Sequence, residues 1–421
     1  MTDASRENQL RELFACAVET ADPMSRISTV LPARPEGRVV VIGAGKASAR
    51  MAEAVESVWG PCEGLVITRY GYSRPCEGIE VVEAAHPVPD DVGAKATRRI
   101  LNLLGSLEPD DFVLALISGG GSALLTDPAG DISLKEKQEI NAALLASGAP
   151  ISQMNIVRKH LSRVKGGQLA AAAYPAKMLA LLISDVPGDD PASIASGPTV
   201  GDISTPDQAS AILREFSIEA PESIKAVLAG NGGVVAPDHE FLSKVENQII
   251  AAPSQSLEAA AEMARGAGFE VRMLGDALEG EARDLGQDQA HMALSIQREL
   301  EHGDPPVLLL SGGECTVTRR GNGIGGPNSE FLLSVAISLD GAKNIYAIAC
   351  DTDGVDGAAE VAGAYANHST LAKASSQGLR ATEYLERNDS HRFFAAIGDQ
   401  VITGPTLTNV NDFRAILIEP A

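Results

Sequence analysis

A glycine-rich turn, Ser118-Gly119-Gly120-Gly121-Ser122, directly follows the apolar run FVLALI at 112–117. Such a run predicts a buried parallel strand, and glycines in the turn after it allow a positive φ and a close approach of a ligand to the backbone. We expect Ser122 to cap the next helix, whose free N–H groups would face an anion. The alternative is a tight strand–helix turn, which needs only one glycine.

Lys46 lies in a second turn, Gly43-Ala44-Gly45-Lys46-Ala47-Ser48, after the strand RVVVI. A lysine in the first turn of a helix is disfavoured by the helix dipole unless an anion faces it, so Lys46 and Gly45 are candidates for a phosphate site. The alternative is a solvated surface lysine. The turn resembles the dinucleotide motif GxGxxG, but Ser48 replaces the third glycine. The second strand ends in Arg69 and lacks the acid that binds the ribose of NAD. Arg69 could instead bind the 2′-phosphate of NADP.

Residues 158–165, RKHLSRVK, carry four fixed positive charges in an acidic chain. Arginine suits the bidentate capture of a carboxylate or phosphate, whereas a solvated helix face is the alternative. The candidates for substrate binding are Arg158, Arg163 and Lys165.

Acidic residues follow two further strands, at 178–183 and 346–350. Carboxylates in glycine-rich loops suit Mg²⁺, which takes one or two protein oxygens beside phosphate and water. Asp189 and Asp351 are therefore predicted metal ligands, with Asp353 as a further candidate. Helix caps and Asx-turns are the alternative.

The second half of the chain also contains an apolar strand before a glycine pair. The strand at 307–310 is followed by Ser311-Gly312-Gly313-Glu314, and Asn328 lies in the later block GGPNSE. We interpret these residues as candidates for nucleotide binding or for a second ligand loop.

The order of strands and helices predicts an α/β fold with two Rossmann-like domains and an active site in the cleft between them. We place the domains at 1–236 and 237–421, because the alternation restarts after the glycine-rich stretch at 230–240. Periodicity predicts helices at 5–22 and 152–164. Two anion-binding turns, a basic cluster and two acidic loops together favour phosphoryl transfer.

The composition limits the classes of partner. A net charge of −22 argues against nucleic acid and anionic membrane surfaces. The five cysteines form no CxxC pair, which is typical of reduced thiols. The polar N-terminus does not resemble a signal peptide, and no apolar run approaches the roughly 20 residues that span a bilayer. We therefore expect a cytoplasmic enzyme with small-molecule substrates, and we also consider a homodimer.

Sequence blocks along nearly the whole chain resemble those of the glycerate 2-kinase family, whose C-terminal part is called the MOFRL domain. The matching blocks are VIGAGKAS, AAHPVPDD, LISGGGSALL, NIVRKHLSRVKGGQLA, ISDVPGDDPASIASGPTV, LLSGGECTV, GGPNSE, ACDTDGVDG and GPTLTNVND. The resemblance implies ATP-dependent phosphorylation of D-glycerate to 2-phosphoglycerate, with Mg²⁺ or another divalent cation. Some family members are labelled hydroxypyruvate reductase, and the lack of a clean dinucleotide motif counts against that activity.

The resemblance also assigns roles to residues. The family's catalytic lysine falls on Lys46, and we assign Asp189 to the metal or to orienting the attacking hydroxyl. An arginine of the family block GGRN is replaced here by Pro327, and Arg319, Arg320 or Arg158 could supply its charge. Two alternatives stay open: an NAD(P)H-dependent hydroxypyruvate reductase, and a non-catalytic sensor of nucleotide or sugar acid.

Overall fold

The computed structural model describes residues 3–230 and 233–421, and the described chain divides into two units. The N-terminal unit comprises 23–185 and 189–250, and the C-terminal unit comprises 3–22, 186–188 and 251–421.

Helices and strands alternate along most of the chain. The helices are α1 (Asp3–Thr20), α2 (Pro23–Val30), α3 (Ser48–Trp59), α4 (Asp91–Leu104), α5 (Gly121–Leu124), α6 (Leu134–Ala146), α7 (Ile151–His160), α8 (Gln168–Ala173), α9 (Pro206–Glu215), α10 (Glu222–Leu228), α11 (Pro253–Gly266), α12 (Ala282–Glu299), α13 (Pro327–Leu339), α14 (Thr370–Ser376), α15 (Ala381–Glu386) and α16 (Ser390–Ile397). The strands are β1 (Val39–Ala44), β2 (Glu63–Arg69), β3 (Ile79–Ala84), β4 (Phe112–Ile117), β5 (Lys177–Ile183), β6 (Val245–Ala251), β7 (Glu270–Gly275), β8 (Gly280–Glu281), β9 (Val307–Gly313), β10 (Cys315–Thr316), β11 (Ile345–Asp351), β12 (Gly363–Ala366), β13 (Gln400–Val401) and β14 (Asp412–Ile418).

The sheet of the N-terminal unit has the strand order β3-β2-β1-β4-β5-β6. Strand β1 pairs in parallel with both β2 and β4, and it is buried along its whole length, as expected for a strand covered on both faces. The chain order reverses between β1 and β4. In open α/β sheets the crevice at the carboxyl ends of two such strands is the usual ligand site. The turns that contain Lys46 and Gly120 follow these two strands, so the sheet places both at that crevice.

The sheet of the C-terminal unit confirms the α/β class but is mixed. Its order is β13-β12-β11-β14-β9-β7, and β14 runs antiparallel to both β9 and β11. Only the β7–β9 pair among its recorded pairings is parallel. The alternation of helices and strands predicted this class, but it does not reveal the direction of a strand that returns from the far end of the chain.

Helix α1 belongs to the C-terminal unit rather than to a domain spanning 1–236. The helix predicted at 5–22 is confirmed as Asp3–Thr20, and its Leu10, Leu13, Phe14 and Ala17 are buried in one core with residues of α11. The periodicity predicted this helix and its buried face, but it carries no information about which core receives that face.

The N-terminal unit also extends beyond the predicted boundary at 236/237. Strand β6 forms the edge of the first sheet, and Met178 N donates to Lys244 O at 3.0 Å beside it. The glycine-rich stretch at 230–240 is therefore a loop of the N-terminal unit, and residues 231–232 of it lie outside the described residues.

Two expectations from composition concern the whole chain. The cysteines are free thiols within the described residues. None of the helices in the part of the chain that the structure describes is long and apolar enough to cross a membrane.

Candidate active site

The two turns at the carboxyl ends of β1 and β4 are joined by their backbones. Lys46 N donates to Gly119 O at 2.8 Å, and Ala47 N donates to Ser118 Oγ at 3.0 Å. A Cβ on Gly45 would lie 2.0 Å from Ser118 Oγ, so only glycine fits there. Ser118 is fully buried, and its hydroxyl accepts the Ala47 bond. Ser118 therefore holds the two turns together, whereas the prediction made it a ligand-binding residue.

Gly120 brings two side chains to the turn. Its φ is +78°, and a Cβ there would lie 3.0 Å from His86 Nε2 and 3.2 Å from Lys46 Cγ. The stem of Lys46 thus passes over the glycine turn next to the imidazole of His86. The ring of His86 therefore lies beside the predicted anion site.

The helix after the glycine turn differs from the prediction. Helix α5 has only four residues, and its N-cap is Gly120 rather than Ser122. The Ser122 hydroxyl instead pairs with Ser196 Oγ at 2.8 Å, and Gly121 N is bound to Ser118 O at 3.1 Å. A one-turn helix has a small dipole, so attraction for an anion must come mainly from neighbouring cations.

A pocket of about 330 Å³ opens at this turn, entirely within the N-terminal unit. Its wall includes apolar side chains, of which Leu145 and Ile151 are exposed at 63% and 57%. Its polar lining comprises His86, Gly120, Ser122, Lys137, Asn141, Arg158 and Lys165. Among the described residues no carboxylate lines it, so the fixed charges of the lining are all positive.

Burial disfavours the charged form of all three cations in the pocket. Desolvation, followed by repulsion from Lys137 and Arg158, holds the pKa of Lys165 well below its usual value. Lys165 Nζ donates to Ser122 O at 2.6 Å and to Leu125 O at 3.2 Å. Desolvation also lowers the pKa of Arg158. An anion bound here would reverse these shifts.

Lys137 is the functional candidate that sequence reasoning missed. It is 2% exposed, and desolvation followed by repulsion from Arg158 lowers its pKa to about 8. The sequence offered no clear signal, because a lysine in the charged segment LKEKQE (134–139) is indistinguishable from one on a solvated helix face.

Two cations of the basic segment lie outside this pocket. Helix α7 ends at His160 and not at 164, and Arg163 N donates to Asp127 O at 3.0 Å as the chain leaves the helix. The Arg163 side chain is 59% exposed and forms an ion pair with the buried Asp127 at 3.0 Å. Buried Lys159 is paired with Asp202. The structure thus favours Arg158 over Arg163 as the arginine that meets a substrate.

A strained loop packs beside α5. Ala195, Ser196 and Gly197 have consecutive φ values of +51°, +64° and +61°. Gly166 N donates to Ser196 O at 3.1 Å, and Gly167 N donates to Gly197 O at 2.8 Å. Left-handed backbone at alanine and serine is costly and persists where the surroundings impose it, often at functional sites. This loop fixes Ser196 against Ser122.

The predicted metal ligands lie at the ends of elements: Asp189 ends a short 3₁₀ turn (Pro187–Asp189), and Asp351 is the last residue of β11. Asp189 is half-buried with φ +53°, and the Asp190 carboxylate next to it accepts from Ala192 N at 3.0 Å. Asp351 is half-buried and accepts from Asp353 N at 2.9 Å. Asp353 is fully buried and accepts from Val355 N at 2.7 Å, so both aspartates form Asx-type turns, and Asp351 is the less buried of the two.

Oxygen donors on Asp189 and Asp351 suit Mg²⁺ chemically, because this ion needs only one or two protein carboxylates when phosphates and water supply its other ligands. Among the described residues, no group of three His, Cys, Asp or Glu side chains is arranged to hold a metal ion.

The candidate residues of the second half do not repeat the first turn. Ser311, Gly312 and Gly313 lie inside buried strand β9, which continues to Gly313. Ser311 Oγ accepts from Gln289 Nε2 at 3.2 Å, and exposed Glu314 follows the strand. A Cβ on Gly313 would lie 2.3 Å from the backbone of the residue-278 loop, so this glycine is required by packing. The predicted turn at these glycines was wrong.

The N-terminus of α13 is satisfied by the protein itself. The buried carboxylate of Asp356 accepts from Asn328 N at 2.9 Å, from Ser329 N at 2.8 Å and from Ser329 Oγ at 2.6 Å. Asn328 Nδ2 also donates to Asp412 Oδ1 at 2.6 Å. Asn328 therefore serves a buried network, and Asp356 occupies the place that an external anion would take at this helix end.

The chain is similar to known proteins over its whole length. Residues 9–229 match the family described as "Domain of unknown function (DUF4147)", and residues 307–412 match the MOFRL family. A "Putative hydroxypyruvate reductase" of Agrobacterium vitis is 51% identical over 420 residues, covering 99% of this chain and 95% of that protein. A D-glycerate 2-kinase of Thermotoga maritima is 40% identical over 414 residues, covering 97% of each. The crystal structure of glycerate kinase from Thermotoga maritima superposes with a TM-score of 0.87 at 38% identity, covering 99% of this chain and 100% of that one.

The fold and the pocket define an α/β protein with a cation-lined pocket at the switch point of a doubly wound sheet. Its similarity to glycerate kinases, in both sequence and structure, extends over nearly every residue. The chain belongs to the glycerate 2-kinase family.

Proposed function

We propose that this chain transfers the γ-phosphoryl group of ATP to the 2-hydroxyl of D-glycerate, giving 2-phosphoglycerate and ADP. The observation that carries the proposal is the pocket at the Gly120 turn, which is lined by buried Lys137, buried Lys165 and half-buried Arg158. The stem of Lys46 passes over the same turn. Phosphoryl transfer depends mainly on positioning and on neutralising negative charge, and this site supplies both. Full-length similarity to D-glycerate 2-kinase supports the choice of substrate.

Lys46 has the role of neutralising charge on the transferred group. Its backbone N–H is bound to Gly119 O, and its side chain extends from that fixed point past Gly120. We assign the amides of Gly119 and Gly120 to the phosphate. The hydroxyl oxygen attacks the γ-phosphorus, the bond from the γ-phosphorus to the oxygen that bridges it to the β-phosphorus breaks, and ADP leaves. The hydroxyl proton passes to the solvent as the new P–O bond forms.

Arg158 and Lys165 have the role of binding the glycerate carboxylate. Both line the pocket, and both are cations whose desolvation an anion would offset. This assignment excludes Arg163, because its guanidinium is already paired with Asp127.

A divalent cation, Mg²⁺ in the simplest case, would be held by Asp189, with Asp351 as the second choice. When bound with ATP, such an ion neutralises phosphate charge. If Asp189 does not hold the ion, it orients the attacking hydroxyl. The net charge of −22 suits a cytoplasmic enzyme with small-molecule substrates, and a homodimer remains a prediction.

The reaction product provides the direct test. The purified protein is incubated with D-glycerate, ATP and Mg²⁺, and the product is identified by phosphorus NMR. The expected result is 2-phosphoglycerate with an equal amount of ADP. Formation of 3-phosphoglycerate would correct the regiochemistry, and no phosphorylated product would overturn the proposal.

The reductase reading is the second candidate, because a relative 51% identical carries that name. Here Ser48, in place of the third glycine of the dinucleotide motif, is buried and donates to Leu116 O at 2.9 Å. The end of β2 carries Arg69 where an NAD site has an acid. Oxidation of NADH or NADPH by hydroxypyruvate, followed by absorbance, would establish this activity; we expect none.

A further inference from the structure

Lys137 is a buried lysine that lines the pocket without a polar partner of its own. Its side chain is almost fully enclosed, and within the described residues it makes no hydrogen bond and no ion pair. Lysine is almost never buried unless it is paired, because desolvation of an ammonium is costly. Such a lysine therefore predicts an anion from outside the protein.

The charged groups on neighbouring elements add to the positive charge around Lys137 and so favour an external anion further. Arg158, from α7 packed against α6, repels Lys137. Lys165 follows α7 and is repelled by Lys137 in turn. His86, on the loop after β3, is also part of the lining. None of these groups supplies negative charge.

The carboxylates nearby are already engaged. Asp127 attracts Lys137 electrostatically, but its oxygens bind Arg98 at 3.1 Å and Arg163 at 3.0 Å. On the same helix, Glu136 accepts from serine groups of the capping box and of α10. The protein thus leaves the positive charge of Lys137 largely uncompensated.

The position of Lys137 in its helix adds a further cost. Ser133 and Glu136 form a capping box at the start of α6, so Lys137 lies at the beginning of the helix. A cation there meets the positive end of the dipole. An anion bound in front of Lys137 would be favoured by both the side chain and the helix.

We propose that Lys137 binds the carboxylate of the hydroxy-acid substrate together with Arg158 and Lys165, and that it takes up a proton when this anion arrives. The inference rests on the proposed function, because it assigns the glycerate end of the reaction to this pocket. Burial holds the pKa of Lys137 at about 8 in the free protein. A bound carboxylate raises that pKa, so binding above pH 8 draws a proton from the solvent.

Steady-state kinetics of Lys137→Met test the binding role. Methionine keeps the apolar stem and removes the charge. We expect the KM for D-glycerate to rise about 10- to 100-fold, the loss expected for one charge-assisted hydrogen bond. The KM for ATP and kcat should change little. Lys135→Met is the matched control, because Lys135 lies on the same helix with its side chain 82% exposed. Equal glycerate KM values in the two variants would overturn the inference.

The pH dependence separates a titrating lysine from a structural one. In the wild type the KM for D-glycerate should rise about tenfold per pH unit above pH 8, as the free lysine loses its proton. Lys137→Met should show no such rise. An identical slope in both proteins would rule out Lys137 as the titrating group.

Calorimetry tests the pocket without relying on turnover. D-glycerate is titrated into the protein at pH 8.5 in two buffers with different ionisation enthalpies, and inorganic phosphate serves as a second probe. Proton uptake with D-glycerate in the wild type, and none in Lys137→Met, supports the inference. Proton uptake on binding of phosphate, with none on binding of D-glycerate, would overturn the carboxylate assignment.

These measurements distinguish the two proposals. A wild type that forms no phosphorylated product overturns the proposed function, while calorimetry still decides whether Lys137 binds the acid. A competent kinase whose Lys137→Met variant keeps its glycerate KM overturns only the inference. The melting temperature of the variant, expected to match or exceed that of the wild type, confirms that it is folded.

Discussion

Lys46 donates its backbone N–H to the carbonyl of Gly119 at 2.8 Å, and this bond joins the turns after two adjacent parallel strands. The main chain of Lys46 is thus positioned independently of its side chain. Removal of the ammonium should therefore affect the chemistry of the site and leave the sheet edge unchanged. This separation makes the role of Lys46 testable.

Lys46→Ala should lower kcat by about 100- to 1000-fold, the typical cost of removing one group that stabilises transition-state charge. The KM for D-glycerate should change little, because the carboxylate is assigned to other cations. Lys95→Ala, on the exposed face of α4, is the control and should retain full activity. Near-normal turnover of Lys46→Ala would remove Lys46 from the mechanism.

Gly120→Ala should lower kcat/KM by displacing Lys46 and His86. The new Cβ would lie 3.2 Å and 3.0 Å from their atoms, so both side chains must move by a few tenths of an ångström. We expect a loss below the roughly 100-fold that a 1 Å misplacement of a reacting group costs. Gly148→Ala is a matched control, because its φ of +73° imposes similar backbone strain while no atom lies within 4 Å of the new Cβ. Equal kcat/KM losses in the two variants would attribute the effect to strain alone.

The sequence predicted the site as far as local patterns allow. Apolar runs before the Lys46 turn and the Gly120 turn located two strand ends, and positive φ at Gly120 follows from local steric rules. The pairing of β1 with β4 places these turns together, but pairing depends on contacts between distant segments. For the same reason the sequence did not reveal Lys137, whose burial depends on packing between α6 and α7.

Arg158→Met and Arg163→Met should separate two arginines that the sequence could not distinguish. Arg158 lines the pocket, so its loss should raise the KM for D-glycerate at least about tenfold. Arg163 is exposed and paired with Asp127, so its loss should leave KM unchanged and cost at most about 1 kcal/mol of unfolding free energy. A rise in KM for Arg163→Met alone would reverse the assignment.

The acidic loop of the C-terminal unit shows why residue type alone does not identify a ligand site. The spacing of Asp351 and Asp353 suggested metal ligands or nucleotide contacts, yet Asp353 closes its own turn. Asp356, the third acid, is bound to the start of α13. Short-range glycine and aspartate patterns fit turns, caps and metal sites equally well, and only the tertiary partner distinguishes them.

Asp356→Asn should destabilise the C-terminal unit by about 3 kcal/mol, because a buried carboxylate that accepts three hydrogen bonds at a helix N-terminus is replaced by an amide that must turn N–H groups toward donors. Scanning calorimetry would measure this change. Asp340→Asn is the control at the other end of α13, where an exposed residue with φ +45° tolerates asparagine. A loss below 1 kcal/mol for Asp356→Asn would show that the carboxylate does not hold this helix.

Lys137→Met should stabilise the ligand-free protein in a manner that depends on pH. The pKa of Lys137 is about 8 in the folded protein against 10.5 in the unfolded chain, so below pH 8 the lysine is charged in both states and costs the fold about 3 kcal/mol. Between pH 8 and 10.5 the folded state sheds its proton first, and the cost disappears as the pH rises.

The gain in unfolding free energy of Lys137→Met over the wild type should therefore be about 3 kcal/mol larger at pH 7 than at pH 10.5. Urea unfolding of both proteins, in buffers without phosphate or carboxylates, measures this difference, and the apolar contribution of methionine cancels between the two pH values. Saturating D-glycerate should selectively stabilise the wild type at pH 7, because the carboxylate then compensates the buried charge. A gain that is the same at both pH values would mean that Lys137 is already compensated within the protein, and its place in the substrate pocket would be wrong.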